Sequence, residues 1–262
     1  MDKKTFIEKM VLASEMKDTD PGLLPNLYNK IIMAEKTGKT VYSSEFYPPN
    51  IWSNLIKMEP YFDVSFSTYG IFDDSERRVI GIGKGDFCDF PVKLLKITAN
   101  TKFTSVGHKD YLGSIMSLGI RREKFGDLIL SEDACYAAVY DDVAGYIVSN
   151  LTRVRNSPCT VEVVDPHCEE KPERRFESLN TTASSLRLDC IIASICNVSR
   201  AKSDELIRQG KVLVNYSTAY KRDLEVDADD IIVIRGYGKF IFNAVKGSTG
   251  SGRLKIELKK FI

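Results

Sequence analysis

Between residues 92 and 165 the hydrophobic period of the chain alternates between that of a strand and that of a helix, and this order of periods leaves few folds open. "VKLLKITAN" (92–100) has the composition of a strand. "HKDYLGSIMSLG" (108–119) predicts a helix with Tyr111, Leu112, Ile115 and Met116 on one face and Gly119 placed to end it. "DLILS" and "CYAAVY" are two short strands joined by Glu132 and Asp133. "DDVAGYIVSNL" carries Ala144, Ile147, Val148 and Leu151 at helical spacing, and "TVEVVD" closes the run as a strand. Residues 87–165 are therefore expected to form one β-α-β-β-α-β domain.

That order is the ferredoxin-like arrangement, which RNA-recognition-motif domains also use. Such domains stack bases on aromatics of their central strands. In "CYAAVY", if Cys135, Ala137 and Val139 face the helices, Tyr136 and Tyr140 face outward. The neighbouring strand adds only Lys96 and Thr98 to that side. Two readings stay open: the face stacks single-stranded RNA, or it faces another part of the chain or a protein.

Residues 1–86 read as an N-terminal helical region with a β-hairpin. Helix is expected over most of 1–58, broken at Pro21-Gly22 and Pro25, with "EFYPPN" as a second stop. "YFDVSFSTYGIF" (61–72) alternates Phe62, Val64 and Phe66 against Asp63, Ser65 and Ser67, and "VIGIGKG" (79–85) reads as its hairpin partner. "GIGKGD" lacks both the last glycine of a dinucleotide loop and the Lys-Ser/Thr of a P-loop, so a tight hairpin end is the better reading. The first residues lack an uninterrupted apolar core and carry Asp2 and Glu8, unlike a signal or transit peptide, and no run is long enough to span a bilayer.

Residues 166–180, dense in charge, read as a linker to a domain over 181–262. The six cysteines form no CxxC pair, and His167 beside Cys168 is too little for zinc, so no metal and no cofactor is expected. Net charge is +1 overall, but residues 181–262 hold 14 Lys and Arg against 9 Asp and Glu. A polyanionic partner would be drawn to that end.

There, "SLRLDCIIASIC" places Leu188, Ile191, Ile192 and Ile195 on one helical stripe, and Asn197 and Ser199 break and restart the chain. In the helix from Arg200, positions 200, 204, 208 and 211 fall in one band, so Arg200, Arg208 and Lys211 point one way with Asp204 placed to brace the arginines. Leu206, Ile207 and small Ser203 face the preceding helix; Gly210 ends the helix and "KVLVN" begins a strand. Periodicity alone leaves a solvated face and an RNA surface equally open.

The stretch "RLDCIIASICNVSRAKSDELIRQGKVLVN" resembles the small RNA-binding domain of ribosomal protein S-four, the alpha-L motif. The match runs through Arg187-Leu188-Asp189, Ser199-Arg200, Leu206-Ile207, Gly210, Val212 and Val214-Asn215. Glycine usually follows the asparagine in that family; here it is Tyr216, which puts the turn in question. "HKDYLGSIMSLGIRREKFGDLIL" and "RGYGKFIFNAVKGSTGSGRLKIELKKFI" extend the resemblance to the YlmH family of bacterial ribosome-associated proteins. The resemblance implies an α+β protein with an N-terminal helical region, a central domain like an RNA-recognition motif, and a C-terminal S-four-type domain. It implies a cytoplasmic, non-enzymatic RNA binder in ribosome-associated quality control, with ribosomal RNA, transfer RNA and the large ribosomal subunit carrying peptidyl-tRNA as partners, and neither membrane nor small-molecule substrate. The RNA contacts it suggests are Arg187, Ser199, Arg200, Lys202, Arg208, Lys211 and Asn215, with Lys221, Arg222 and Lys239 beyond them. The loop "GIRREKFGD" adds Arg121, Arg122 and Lys124 as secondary candidates. The alternatives are a protein-interaction adaptor in cell division using the central domain, and an RNA-modifying enzyme. No catalytic constellation supports the last: Asp189 reads as a brace for Arg187, and no HIGH-like or KMSKS-like element is present.

Overall fold

The computed structural model describes residues 1–14, 22–100, 106–167 and 171–262. The protein is a mixed α and β structure that divides into two compact units, the first reaching Glu173 and the second holding Arg174–Ile262.

The first unit opens with α1 (Lys3–Ser14) and α2 (Leu23–Thr37), then β1 (Val41–Tyr42), α3 (Pro49–Lys57), β2 (Ser65–Tyr69) and β3 (Val79–Gly83). Pro25 lies in the first turn of α2, where its missing N–H is no loss. Pro21 is outside the described residues. "EFYPPN" proves to be a helix start rather than a stop, because Pro48 is the N-cap of α3 and Pro49 its first residue. Strands β2 and β3 pair antiparallel as expected, but β1 joins on the other edge of β3, making a three-stranded sheet. Gly81 thus sits in a central strand and not at a hairpin tip; a Cβ there would come within 2.6 Å of the Phe87 ring. Gly83 is also closely packed, a Cβ there coming within 2.9 Å of Thr40, whereas Gly85 has open space around it.

The chain continues through β4 (Val92–Ala99), α4 (His108–Met116), β5 (Phe125–Leu130), β6 (Cys135–Tyr140), α5 (Asp141–Asn150), β7 (Arg153–Val154) and β8 (Ser157–Val164). The sheet order is β5-β6-β4-β8-β7, antiparallel throughout. Leu95, Ile97, Cys135, Ala137 and Val139 pack against Tyr111, Ile115, Ala144 and Ile147 of α4 and α5. The other face is also covered. Leu94, Ile129, Tyr136 and Ala138 form a core with Phe46, Ile71, Phe72 and Val79, and the Tyr140 hydroxyl donates to the Ser43 carbonyl at 2.9 Å. Tyr136 is 6% exposed. The outward tyrosines face another part of the chain, since a sheet face this apolar gains more from burial than from water.

The second unit comprises β9 (Phe176–Ala183), α6 (Leu188–Cys196), α7 (Arg200–Arg208), β10 (Val212–Val214), β11 (Ser217–Thr218), β12 (Ile231–Ile234), β13 (Gly238–Ser248) and β14 (Leu254–Phe261). The sheet order is β11-β10-β12-β13-β14-β9. Strand β9 takes residues 176–180, which the sequence reading assigns to the linker. Only alternate residues of this edge strand meet the core, through Leu179 and Ala183, so the charged ones mask its pattern. The core under α6 and α7 joins Ile191, Ile192, Leu206 and Ile207 to Val212, Ile232, Phe240, Phe242, Ile256 and Leu258.

Candidate nucleic-acid interface

Helix α6 stops at Asn197, which adopts the left-handed conformation (φ 52°) that asparagine tolerates. Ser199 then starts α7: its backbone is extended and its hydroxyl accepts the Lys202 N–H at 3.2 Å. Buried Ser203 lets the two helices approach, and its hydroxyl donates to the Asp189 carbonyl at 2.8 Å. At the far end Gly210 (φ 66°) turns the chain out, with the Gly210 and Lys211 amides donating to the Ile207 and Leu206 carbonyls. This Schellman closure delivers the chain into β10.

Two carboxylates organise the basic side chains on this frame. Asp189, 3% exposed, accepts from Arg187 Nε at 3.1 Å and from Arg200 Nη2 at 2.8 Å. Burial alone would raise its pKa, but the hydrogen bonds from Arg187 and Arg200 outweigh it and hold the carboxyl at about 2. The same bonds raise the pKa of both guanidiniums. Asp204 accepts from Arg208 Nη2 at 2.7 Å and lies 4.0 Å from Arg222 Nη1. The loop bearing Arg222 is tied down by backbone bonds from Leu188 and Asp189 to the carbonyls of Leu224 and Arg222. Asp204 therefore braces Arg208 and Arg222, while the brace of Arg200 is Asp189. Arg200, Arg208 and Arg222 keep 60%, 71% and 63% of their side-chain surface open. Each guanidinium has five N–H donors, so a carboxylate on one edge leaves the other edge for a phosphate.

The other predicted residues divide. Lys202 pairs with Glu205 at 2.9 Å on the exposed side of α7, and Lys211 and Lys221 are exposed nearby in sequence. Ser199 is engaged as the cap. Asn215 and Tyr216, both left-handed (φ 48° and 68°), make the two-residue turn between β10 and β11. The Asn215 amide donates to Asp230 at 2.7 Å and its carbonyl accepts from the Ile231 N–H at 3.0 Å. Tyrosine thus occupies the second position of this turn, and Asn215 holds it in place. Lys239 lies on the sheet face opposite Phe240 and Phe242, away from the helix-covered core.

The secondary candidates are committed within the first unit. Arg121 bonds Glu45 at 2.8 Å, a carboxylate with 8% of its side-chain surface exposed. Arg122 donates to the carbonyls of Phe125 (2.8 Å) and Gly126 (3.3 Å), and burial lowers its pKa. Lys124 pairs with Asp142 at 2.5 Å and lies 4.5 Å from the Tyr140 ring centroid. These basic residues follow a helix and read as a loop, yet Arg121 reaches Glu45 outside residues 87–165, while Arg122 and Lys124 bond groups within them; a carbonyl acceptor leaves no sequence signal. Among the described residues no group of acidic, cysteine or histidine side chains could hold a metal, and no helix is long and apolar enough to cross a membrane. Cys168 lies outside the described residues.

Residues 86–167 match the family model described as "Putative RNA-binding domain in YlmH". Among solved structures the chain is similar to the cell division protein YlmH from Streptococcus pneumoniae, at 19% identity and a TM-score of 0.47, covering 57% of this chain and 95% of that one. The ribosome-associated protein quality control protein P2 of Bacillus subtilis (strain 168) is 31% identical over 221 residues, which is 83% of this chain and 86% of that protein. Identity at that level across most of both chains, with the family's RNA-binding segment matched inside it, establishes that the chain belongs to the YlmH-like family of ribosome-associated quality control protein P2.

Proposed function

We propose that this protein is a non-enzymatic, cytoplasmic RNA-binding protein that joins the ribosome during quality control, and that its C-terminal unit grips structured RNA. The observation carrying this is the pair of carboxylates, Asp189 and Asp204, each bracing two guanidiniums that stay open to solvent. Arginines held in this way lose little rotamer freedom on meeting phosphates. The helix-helix-strand frame around them supports reading residues 174–262 as an S-four-type domain, and the β5-β6-β4-β8 order supports reading the central sheet as ferredoxin-like. The relative from Bacillus subtilis, by its name, acts in ribosome-associated quality control, which supports a ribosomal setting. The large subunit carrying peptidyl-tRNA is the partner we favour. The contacts are Arg187, Arg200, Arg208 and Arg222, with Lys202, Lys211 and Lys221 at the rim.

Co-sedimentation with purified large ribosomal subunits tests this. The wild-type chain should pellet with subunits and lose that behaviour after RNase treatment. An Arg200→Ala/Arg208→Ala variant should bind at least a hundredfold more weakly, because each charge-assisted bond contributes about 1.5–3 kcal/mol. A folded double variant that pellets like the wild type, or RNase-resistant association, would show that the arginines are scaffold and the partner is protein.

A further inference from the structure

The sheet of the second unit has a second face. Alternation sends Phe240, Phe242, Ile256 and Leu258 into the core beneath α6 and α7, and the residues between them to the opposite side. There the register sets Val233 opposite Lys239 and Phe261 opposite Phe176, and the Phe240–Lys260 pair places Lys239 and Phe261 side by side. One row thus crosses β12, β13, β14 and β9. The next row is Ile231, Ile241, Lys259 and Ser178.

The chemistry of these rows is aromatic and cationic. The Phe176 and Phe261 rings meet edge to face with centroids 5.0 Å apart. The Lys239 ammonium lies 4.4 Å from the Phe261 centroid and 4.8 Å from that of Tyr216. Lys255 and Lys259 are exposed on the same side of β14. The acid among them, Glu257, is engaged by Lys246 at 3.0 Å and by the Asn243 amide. Phe176 is 40% exposed on an edge strand, where a large ring adds little to the core.

Rings that offer a face to any base, interleaved with ammoniums that meet the backbone, are how proteins hold single-stranded nucleic acid without reading its sequence. We propose that this sheet face is a stacking platform for a single-stranded RNA segment, with Phe176 and Phe261 as the stacking residues and Lys239, Lys255 and Lys259 as the phosphate contacts. The proposal rests on the RNA-binding reading and adds an unpaired segment to the structured RNA held by the arginines. It also moves base stacking from the central sheet, where Tyr136 is buried, to the C-terminal one.

The test uses the full chain and two fluorescent probes, an oligouridylate of about ten nucleotides and an RNA hairpin without unpaired tails. The expected result is that Phe176→Leu/Phe261→Leu, which keeps apolar volume and removes the ring faces, binds the oligouridylate at least tenfold more weakly and the hairpin as the wild type does. Lys259→Ala, a change at an exposed side chain, should weaken the oligouridylate severalfold even if the double variant folds poorly. Failure of the wild type to bind the oligouridylate, or undiminished binding by these variants, overturns the platform. The Arg200→Ala/Arg208→Ala variant should lose the hairpin and keep the oligouridylate; loss of both overturns a separate platform. Retention of the hairpin by that variant would instead overturn the arginine reading, with the platform supported by its own oligonucleotide data.

Discussion

Asp189 is the residue on which both the fold and the proposed contact surface depend. Its carboxyl is buried, and the two arginines that neutralise it are the ones offered to RNA. Because its folded pKa is depressed to about 2 from an ordinary 3.8, the stabilisation it contributes is present above about pH 4 and lost as pH falls through 2. That contribution is about 2 kcal/mol. Asp189→Asn should therefore lower the urea midpoint at neutral pH and flatten the loss of stability between pH 4 and 2. It should also weaken RNA binding without removing any positive charge, since Arg187 and Arg200 lose their common anchor. An unchanged acid limb in the variant would mean that another carboxylate carries the titration. The Arg208–Asp204 pair is different: it joins an exposed arginine to a half-buried aspartate one helical turn away, and removing the arginine alone should cost less than about 0.5 kcal/mol.

Among the elements, the β10–β11 hairpin best separates scaffold from binding surface. Resemblance places Asn215 among the RNA contacts, yet its side chain fastens the turn to Asp230 and Ile231 and its backbone is left-handed. Asn215→Ala removes both bonds and puts an alanine at positive φ, a change worth about 3 kcal/mol from two hydrogen bonds and one strained residue. Thermal melting should fall accordingly, with RNA affinity of the folded fraction unchanged. An affinity loss at constant stability would return Asn215 to the interface. Tyr216 beside it shows why glycine is dispensable there: the turn is held by the asparagine's own bonds, so a left-handed tyrosine is tolerated.

At the scale of the whole molecule, the two units differ in how their sheets are covered. The central sheet has apolar residues on both faces, and Phe46, Ile71, Phe72 and Val79, from outside residues 87–165, cover the second. A fragment of residues 87–165 alone should expose Leu94, Ile129, Tyr136 and Ala138, bind hydrophobic dyes and aggregate. The second unit packs its helices on a core of its own, so residues 174–262 should fold cooperatively by themselves. A fragment starting at 181 should be less stable, because it loses most of the strand that pairs along β14. Equal midpoints for the 174–262 and 181–262 fragments in urea would show that β9 is an ornament on the edge.

What the sequence determined by itself was local. Alternation of periods two and 3.6 sets the order of strands and helices from 92 to 165, and stop-and-start chemistry at Asn197, Ser199 and Gly210 marks the ends of α6 and α7. Those signals are legible because each is carried by residues within one or two turns of each other. The partners of the charged and aromatic side chains were decided only by tertiary structure. Asp204 meets Arg222, Asp189 meets Arg200, Arg121 meets Glu45, and Tyr136 meets Phe46 and its neighbours through approaches the chain makes far from each residue. Strand β9 stayed hidden for the same reason: it pairs edgewise with a strand about eighty residues later, and its charged face carries no period that marks a core.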